Sequence, residues 1–280
     1  MIIAIFPNFS KPEAHHLAEA AIDFCKKKGA TLVAADEEAE LLQVEPLSKY
    51  KPSKIDCGIS FGGDGTLLQL IHRFPTLSCP LIGINLGTLG FLADIPVEEL
   101  FPTLEHILSK DYTVVDRLML AGTPPNGDTC IAVNEFAIHR TNNPCLIDLS
   151  VHIDGVYFNT FSADGLIIAT PSGSTAYSLS AGGPILDRSL QAVTITPICP
   201  HTLSNVPVVL MPKEKITIQY LGEHAPCEII SDGSHFCEMR AGELLEISPA
   251  KHTFRTIVLP CRDFFSTLRH KLHWSGSLRN

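Results

Sequence analysis

The 280-residue sequence has no apolar run of ~18 residues, the length a membrane-crossing helix needs, although 45% of its residues are hydrophobic. A soluble globular protein of one large or two ordinary domains is the expected class. Its start, MIIAIFPNFSKPEA, lacks basic residues ahead of the apolar ones and meets Pro7 early, so it reads as a first strand rather than a secretory signal. No C-x-x-C pair occurs among the nine cysteines (Cys25, Cys57, Cys79, Cys130, Cys145, Cys199, Cys227, Cys237, Cys261), and their number is odd. Reduced thiols acting as small core residues of a cytoplasmic protein are expected. The twelve histidines never fall in an H-E-x-x-H or similar spacing, so nothing signals a structural zinc site. Positive charge is scarce too: 21 Lys and Arg against 30 Asp and Glu give −9, which argues against a nucleic-acid-binding surface.

What is present changes texture once. Over 1–108, apolar strands (MIIAIF, ATLVAA, KIDCGISF, PLIGIN) alternate with helical patterns (EAHHLAEAAIDFCKKKG and a helix from Thr66), which predicts an α/β domain with a mostly parallel sheet. From about Val114 the segments become short, β-rich and turn-punctuated, including CIAVNEFAIHR, LIDLSVHIDGVYFNTF, GLIIAT, KITIQYL, CEIISDG and LLEISPA. A second, all-β domain of sandwich type follows. Near the end, Phe265, Leu268 and Leu272 stand at i, i+3, i+7 and predict a short amphipathic helix. The expected boundaries are 1–113, 114–259 and a C-terminal segment 260–280.

The stretch GISFGGDGTLLQLI (58–71) sets Gly62, Gly63, Asp64, Gly65 and Thr66 between a buried strand and the opening of a helix. Such a turn leaves backbone N–H groups and the positive helix end facing outward, and glycines admit phosphates closely. A carboxylate there must take a proton or hold a metal ion if it is to coexist with phosphate. The alternative is that Asp64 only makes a turn: Asp-Gly is a common hairpin signal, and the chain repeats it at Asp154–Gly155, Asp164–Gly165 and Asp232–Gly233. Asp154–Gly155, between two alternating runs, reads as a plain turn. Neither G-x-x-x-x-G-K-[ST] nor G-x-G-x-x-G occurs, so the usual nucleotide loops do not explain the stretch.

Two more segments carry polarity where a core is expected. Asn134 and Glu135 interrupt an apolar strand and must find partners; an asparagine suits an adenine edge and a glutamate suits ribose hydroxyls, while a bulge or turn capped by Asn134 is the plain alternative. Residues 163–186, ADGLIIATPSGSTAYSLSAGGPIL, form a platform of small and hydroxyl-bearing side chains on which Tyr177 alone is large, a place to stack a flat ring. The interleaved Leu166, Ile167, Ile168, Leu179 and Ile185 argue against a flexible linker.

Taken in order, GGDGT (62–66), GINLGTLGFL (83–92), Asn134–Glu135, DGLIIATPSGSTAYSLSAGGPI (164–185), TPICPHTLSNVP (196–207) and FFSTLRHKLHW (264–274) resemble the NAD kinases of bacteria over nearly the whole chain. The 164–185 segment is highly specific to that family; GGDGT alone is shared with diacylglycerol and sphingosine kinases. The resemblance implies an α/β domain, a β-sandwich domain, a tail returning to the first, an active site between the two, and a homodimer or homotetramer. It implies transfer of the γ-phosphoryl group of ATP, or of polyphosphate, to the 2′-hydroxyl of the adenosine ribose of NAD. Asp64 matches the family's proton acceptor, with the amides of 62–65 and a divalent cation, Mg²⁺, neutralising the phosphates. The ligands of that cation are not identified. Asn134 and Glu135 would hold the adenosine part of NAD, Thr175, Ala176, Tyr177 and Ser180 would line the dinucleotide cleft along with Ser178 and Leu179, and Asp164 would lie near the nicotinamide end. No nucleic acid or membrane partner is implied. Two positions depart from the family: Ser162 stands where an arginine is frequent, and Ser234 where a glutamine is frequent, so contacts of Ser162 in the substrate site do not transfer directly. Arg140 or Arg188 could supply the missing cation. A GGDGT-type lipid kinase and a dinucleotide sensor without catalysis are the competing readings.

Overall fold

The structure, a computed structural model, describes residues 1–274 apart from 89, 125–126, 142–143, 212–214, 223–224 and 261. Leu89 of the 83–92 motif, Cys261 and the end of the C-terminal segment therefore lie outside the described residues. The chain divides into two compact units, Met1–Asp116 with Arg255–Asn280, and Arg117–Phe254.

The first unit is α/β. Strand β1 (Ile2–Pro7) leads into helix α1 (Pro12–Lys27), whose Pro12 sits at the helix start and whose Ala14, Ala18, Ala21, Ile22 and Cys25 are buried. That i, i+4, i+7, i+8, i+11 spacing makes one apolar stripe, and its alanines let the helix lie close to the sheet. Next come β2 (Thr31–Ala34), the short helix α2 (Asp36–Ala39), β3 (Glu45–Pro46), β4 (Cys57–Gly62), α3 (Asp64–Arg73), β5 (Leu81–Asn85), β6 (Ile95–Pro96), α4 (Leu100–Ser109) and β7 (Thr113–Arg117). The sheet runs β3-β2-β1-β4-β5, then the late strand Phe254–Val258, then β7, with β6 beside β5. β1 pairs in parallel with both β2 and β4, and β4 with β5. The chain order thus reverses between β1 and β4, and the carboxyl ends of those two strands flank the crevice where open α/β sheets bind ligands. The core beneath is aliphatic and aromatic, with Ile3, Ile5, Ile59, Phe61, Ile84 and Leu104 among its fully buried members.

The strand Phe254–Val258 pairs in parallel with β5, and this is why the division falls at 254/255 rather than after Leu259. A helix, Phe264–Lys271, follows, with Asp263 accepting the Ser266 N–H at 2.8 Å as its N-cap. It buries Thr267 and Leu268, whereas Phe265 is 60% exposed, so the expected stripe is only partly the buried face.

The second unit is an antiparallel sandwich. It comprises β8 (Leu120–Thr123), β9 (Cys130–Ala132), β10 (Glu135–His139), β11 (Ile147–Ile153), β12 (Val156–Ala163), β13 (Gly165–Ala169), the short helix α5 (Tyr177–Ser180), β14 (Val193–Ile198), β15 (Val208–Leu210), β16 (Ile216–Tyr220), β17 (Cys227–Ser231), β18 (Ser234–Met239) and β19 (Leu244–Pro249). One sheet is ordered β15-β14-β13-β10-β17-β18 and the other β12-β11-β16-β19-β8-β9. Phe136, Ile138, Leu166, Ile168 and Ile195 of the first share a core with Leu120, Leu149, Val151, Ile218 and Leu245 of the second. The opposite face of β10 and β13 is also covered, since Ala137, Ile167 and Ala169 are buried with Ala181 packed on them. Both faces being buried explains why GLIIA reads as a continuous apolar run.

CIAVNEFAIHR, expected as one strand, is two. β9 belongs to one sheet and β10 to the other, and the chain crosses at Val133 and Asn134. Asp154–Gly155 is a plain hairpin turn, with φ of 50° and 80°. Asp164–Gly165 is not: its backbone has no positive φ and links β12 to β13. Eight described cysteines are free; Cys25, Cys57, Cys79 and Cys227 are core residues, but Cys145 and Cys199 are exposed.

Candidate active site

In the first unit, β4 ends at Gly62 and α3 begins at Asp64, two residues earlier than the expected start at Thr66. The shift matters because it puts Asp64 in the first helical turn. Thr66 Oγ1 accepts the Gly63 N–H and the Asn8 side-chain amide, each at 3.2 Å, pinning the loop after β1 to the turn after β4. The N–H groups of Asp64 and Gly65 have no acceptor among the described residues. Of the amides of 62–65, these two are the ones left to face an anion, because Gly62 lies within β4 and the Gly63 N–H is taken by Thr66.

The Asp64 carboxylate meets the loop after β5. Oδ2 accepts the Phe91 N–H at 2.8 Å, and Oδ1 accepts those of Leu92 and Ala93 at 3.0 and 2.8 Å. Three consecutive backbone donors fix its position and leave a lone pair on Oδ2. A Cβ at Gly90 would overlap Asp64 Oδ1, so glycine is what lets the loop close around the carboxylate. Among the described residues, the group of three or more side chains placed to share a metal ion is His15, His16 and Glu19, on α1, not a set around Asp64. The donor set at Asp64 therefore does not fit a protein-held divalent cation.

In the second unit, the sheet-crossing corner at Val133–Asn134 is held by a residue far away in sequence. Asp232, at the turn between β17 and β18, accepts the N–H groups of Val133 (2.8 Å), Asn134 (2.7 Å) and Glu135 (3.1 Å). Asn134 and Glu135 are buried, at 9% and 7% exposure, and among the described residues Asn134 Oδ1 and Glu135 Oε2 have no hydrogen-bond partner. Two adjacent buried acceptors without donors are costly unless a bound molecule supplies the donors. Burial, then the charge of Asp232, push the Glu135 carboxyl up to about 8, partly offset by the Tyr177 backbone N–H that it accepts.

The segment after β13 is ordered, not a linker. Thr170 donates its N–H to the Asn134 carbonyl at 2.8 Å and its hydroxyl to the Val133 carbonyl at 2.6 Å. A Cβ at Gly173 would overlap the Asn134 carbonyl oxygen, so this glycine is required for the platform to rest on the corner. Thr175 and Ala176 are half-buried, Tyr177 and Ser180 exposed. Ser178 faces inward, sharing a 2.9 Å hydrogen bond with buried Thr196, and Leu179 is half-buried. One face of the Tyr177 ring is already stacked on His139, with centroids 5.4 Å apart and planes 9° from parallel. Burial holds the His139 imidazole below its usual range, against the opposing pull of Glu228 and Asp164. Directly after His139, just past the end of β10, Arg140 Nε meets Asp164 Oδ1 at 2.6 Å. Ser162 lies in β12, opposite Asp148, and its carbonyl accepts the His201 N–H.

Asn8, the amides of 91–93, Asp232 and His139 went unsignalled in the sequence, and although Arg140 and Asp164 were both singled out there, nothing signalled that they pair. Asp232 had one trace, its Asp-Gly pair, but that marks a turn and says nothing of three donors roughly a hundred residues earlier.

A glycine turn at the switch point of a parallel sheet, with an anchored carboxylate and open helix-end amides, and a sandwich bearing orphaned acceptors beside an aromatic platform, are the parts of a phosphotransferase that acts on a small molecule. The family within that class comes from comparison. The profile of the ATP-NAD kinase N-terminal domain matches residues 3–112, and that of the ATP-NAD kinase C-terminal domain matches 133–259. The chain is 50% identical to the NAD kinase of Protochlamydia amoebophila, covering 99% of this chain and 100% of that protein. It is 40% identical to the NAD kinase of Trichlorobacter lovleyi, with 97% and 98% covered. In fold it is similar to yeast NADH kinase complexed with NADH, with a TM-score of 0.87 at 24% identity, covering 100% of this chain and 89% of that one. It is also similar to an NAD kinase from Archaeoglobus fulgidus in complex with ATP, with a TM-score of 0.75 at 23% identity, covering 99% and 100%. The chain belongs to the NAD kinase family and is a phosphotransferase. The lipid kinase and sensor readings gain nothing from these matches.

Proposed function

We propose that the protein transfers the γ-phosphoryl group of ATP to the 2′-hydroxyl of the adenosine ribose of NAD, giving NADP and ADP. The observation that carries this is the pair of orphaned acceptors, Asn134 Oδ1 and Glu135 Oε2: an adenine amino group satisfies the first and a ribose hydroxyl the second. Thr175, Ala176, the free face of Tyr177, Leu179 and Ser180 are the remaining cleft residues, and Ser178 supports them from behind through Thr196. Arg140, paired with Asp164, supplies a cation where Ser162 offers none, and this pair is proposed for the nicotinamide half.

A secondary alcohol is a weak nucleophile at neutral pH. As the 2′-oxygen bonds to the γ-phosphorus, its proton passes to Asp64, and the bond from that phosphorus to the bridging oxygen breaks with its electron pair leaving on ADP. A divalent cation such as magnesium, bound with the nucleotide, would supply charge neutralisation of the phosphates. The Asp64 and Gly65 N–H groups and the start of α3 serve the phosphates, while Gly62, Gly63 and Thr66 shape the turn.

A homodimer or homotetramer is the assembly proposed, supported by apolar side chains exposed on edge strands β12 and β15 and nearby: Val156, Tyr157, Val206, Val209 and, at 97% exposure, Leu203. A cytoplasmic setting is proposed on the free thiols, and no helix among the described residues is long and apolar enough to cross a membrane. The test is incubation of purified protein with NAD, Mg²⁺ and either ATP or polyphosphate, reading NADP with an NADP-specific dehydrogenase. NADP with ATP supports the proposal; none with either donor overturns it, and NADP with polyphosphate alone corrects the donor.

A further inference from the structure

The loop joining β1 to α1 stands on one side of the switch-point crevice, and the turn joining β4 to α3 stands on the other. Asn8 ties them together, through its backbone N–H to the Phe61 carbonyl at 2.9 Å and its side chain to Thr66. Lys11 follows at the end of this loop as the N-cap residue of α1. Its N–H donates to the Asn8 carbonyl at 2.9 Å, and its side chain makes no capping bond. The ammonium instead reaches the loop after β5, lying 3.8 Å from the position a Cβ would take on Gly87. That residue is fixed by its own N–H, which donates to Asn85 Oδ1 at 2.8 Å. This is the same loop whose later residues grip Asp64.

Among the described residues no carboxylate pairs with Lys11, although the chain as a whole is acidic. A half-buried lysine has given up part of its hydration, and here it stands at the end of the loop that flanks the switch-point crevice. The acidic residues of the adjoining first turns, Glu13 on α1 and Asp64 on α3, make no ion pair with it among the described residues, and the Asp64 carboxylate is already engaged by the amides of 91–93. An anion with several charged oxygens replaces the hydration that the ammonium has lost, and the carboxyl ends of β1 and β4 are where the fold directs it.

We propose that Lys11 is the side-chain cation of the donor subsite, holding the non-transferred phosphates of the phosphate chain presented to Asp64. The inference rests on the phosphotransfer reading. The ligand chemistry is a linear phosphate chain, whether that of ATP or of inorganic polyphosphate. Lys11 is a positioning and charge-neutralising residue and takes no part in moving the hydroxyl proton.

Steady-state kinetics of wild type, Lys11→Met and Lys11→Arg, varying donor and NAD separately, tests this. Loss of one charge-assisted contact should raise KM for the donor about ten- to hundredfold in Lys11→Met, leave KM for NAD within about twofold, and be partly rescued in Lys11→Arg. Calorimetric titration with pyrophosphate alone should show the same order of affinities without turnover, and a shallower salt dependence for Lys11→Met. A melting temperature near wild type establishes that the variants are folded. Unchanged donor KM and pyrophosphate affinity in a folded Lys11→Met overturn the inference. So does an effect confined to the nucleoside donor when wild type also accepts polyphosphate. If wild type forms no NADP, the reaction reading itself fails; if wild type turns over and Lys11→Met matches it, only the role of Lys11 fails.

Discussion

Asp232 Oδ1 accepts the backbone N–H of Asn134 at 2.7 Å, a bond that spans 98 residues and fixes the corner where the chain passes from one sheet of the sandwich to the other. With Val133 and Glu135 also donating, the carboxylate does for the sandwich what Asp64 does for the loop 91–93 of the α/β unit: it gathers three consecutive amides. Charge-assisted bonds of this kind are stronger than neutral ones, and losing them leaves buried donors unpaired.

Asp232→Asn should therefore destabilise the protein by roughly 1–3 kcal/mol, since the amide turns an NH₂ toward a backbone donor. KM for NAD should rise more than kcat falls, because Asn134 and Glu135 are displaced while Asp64 is untouched. Thermal unfolding together with a split of KM against kcat checks this; unchanged stability and KM would remove Asp232 from the support of the corner.

Asp64→Asn keeps shape and removes the base, so kcat should fall roughly 10²-fold or more while calorimetry still shows NAD binding. Gly90→Ala should mimic it with the carboxylate present, since the new methyl would overlap Oδ1 and displace it. Near-normal turnover in folded Asp64→Asn would take Asp64 out of the chemistry, and near-normal turnover in Gly90→Ala would mean that the grip of loop 91–93 does not set its position.

How much of this was readable in advance depended on whether residue type carried the signal. The stripe from Ala14 to Cys25 and the apolar run Leu166–Ile168 are chemical patterns, and they led to α1 and β13. GGDGT and Asn134–Glu135 were visible as polarity in apolar surroundings. The grip on Asp64 was not, because its partners are the backbone N–H groups of Phe91, Leu92 and Ala93, which every non-proline residue owns. Nor was Ser178 separable from its neighbours: small hydroxyl residues in a row look alike until the fold turns one toward Thr196. Phe265 shows the converse, an apolar residue at the right period that remains exposed because the helix buries Thr267 and Leu268 instead.

Glu135 should give NAD binding a pH dependence. Its carboxyl, raised to about 8, holds its proton at neutral pH in the free protein, whereas a ribose hydroxyl donating to Oε2 requires the carboxylate. Binding then releases a proton: affinity should rise with pH toward about 8 and level off above it. The same shift means that the stability contributed by the folded-state proton is full below the ordinary value of 4.5 and lost as pH rises through about 8. Glu135→Gln should flatten both dependences, in calorimetry across buffers of different ionisation enthalpy and in melting temperature across that pH range. A wild-type affinity that does not change with pH would show that Glu135 does not accept from the ligand as a carboxylate.

The stacked pair His139 and Tyr177 leaves one face of the tyrosine ring for a ligand, so the histidine sets the plane that a bound ring must match. Tyr177→Ala should lose about 1 kcal/mol of stacking, raising KM for NAD roughly fivefold, with a smaller effect on kcat because a ring away from the 2′-hydroxyl stabilises ground and transition states alike. His139→Ala should do the same in part, by freeing the Tyr177 ring to tilt. His139→Phe keeps a flat partner and should restore KM close to wild type, and that rescue separates ring support from any charge or hydrogen bond of the imidazole. Unchanged NAD affinity in both Tyr177→Ala and His139→Ala would mean that the platform is not where the dinucleotide lies, whereas loss in His139→Phe equal to that in His139→Ala would assign the effect to the imidazole nitrogens rather than to the stack.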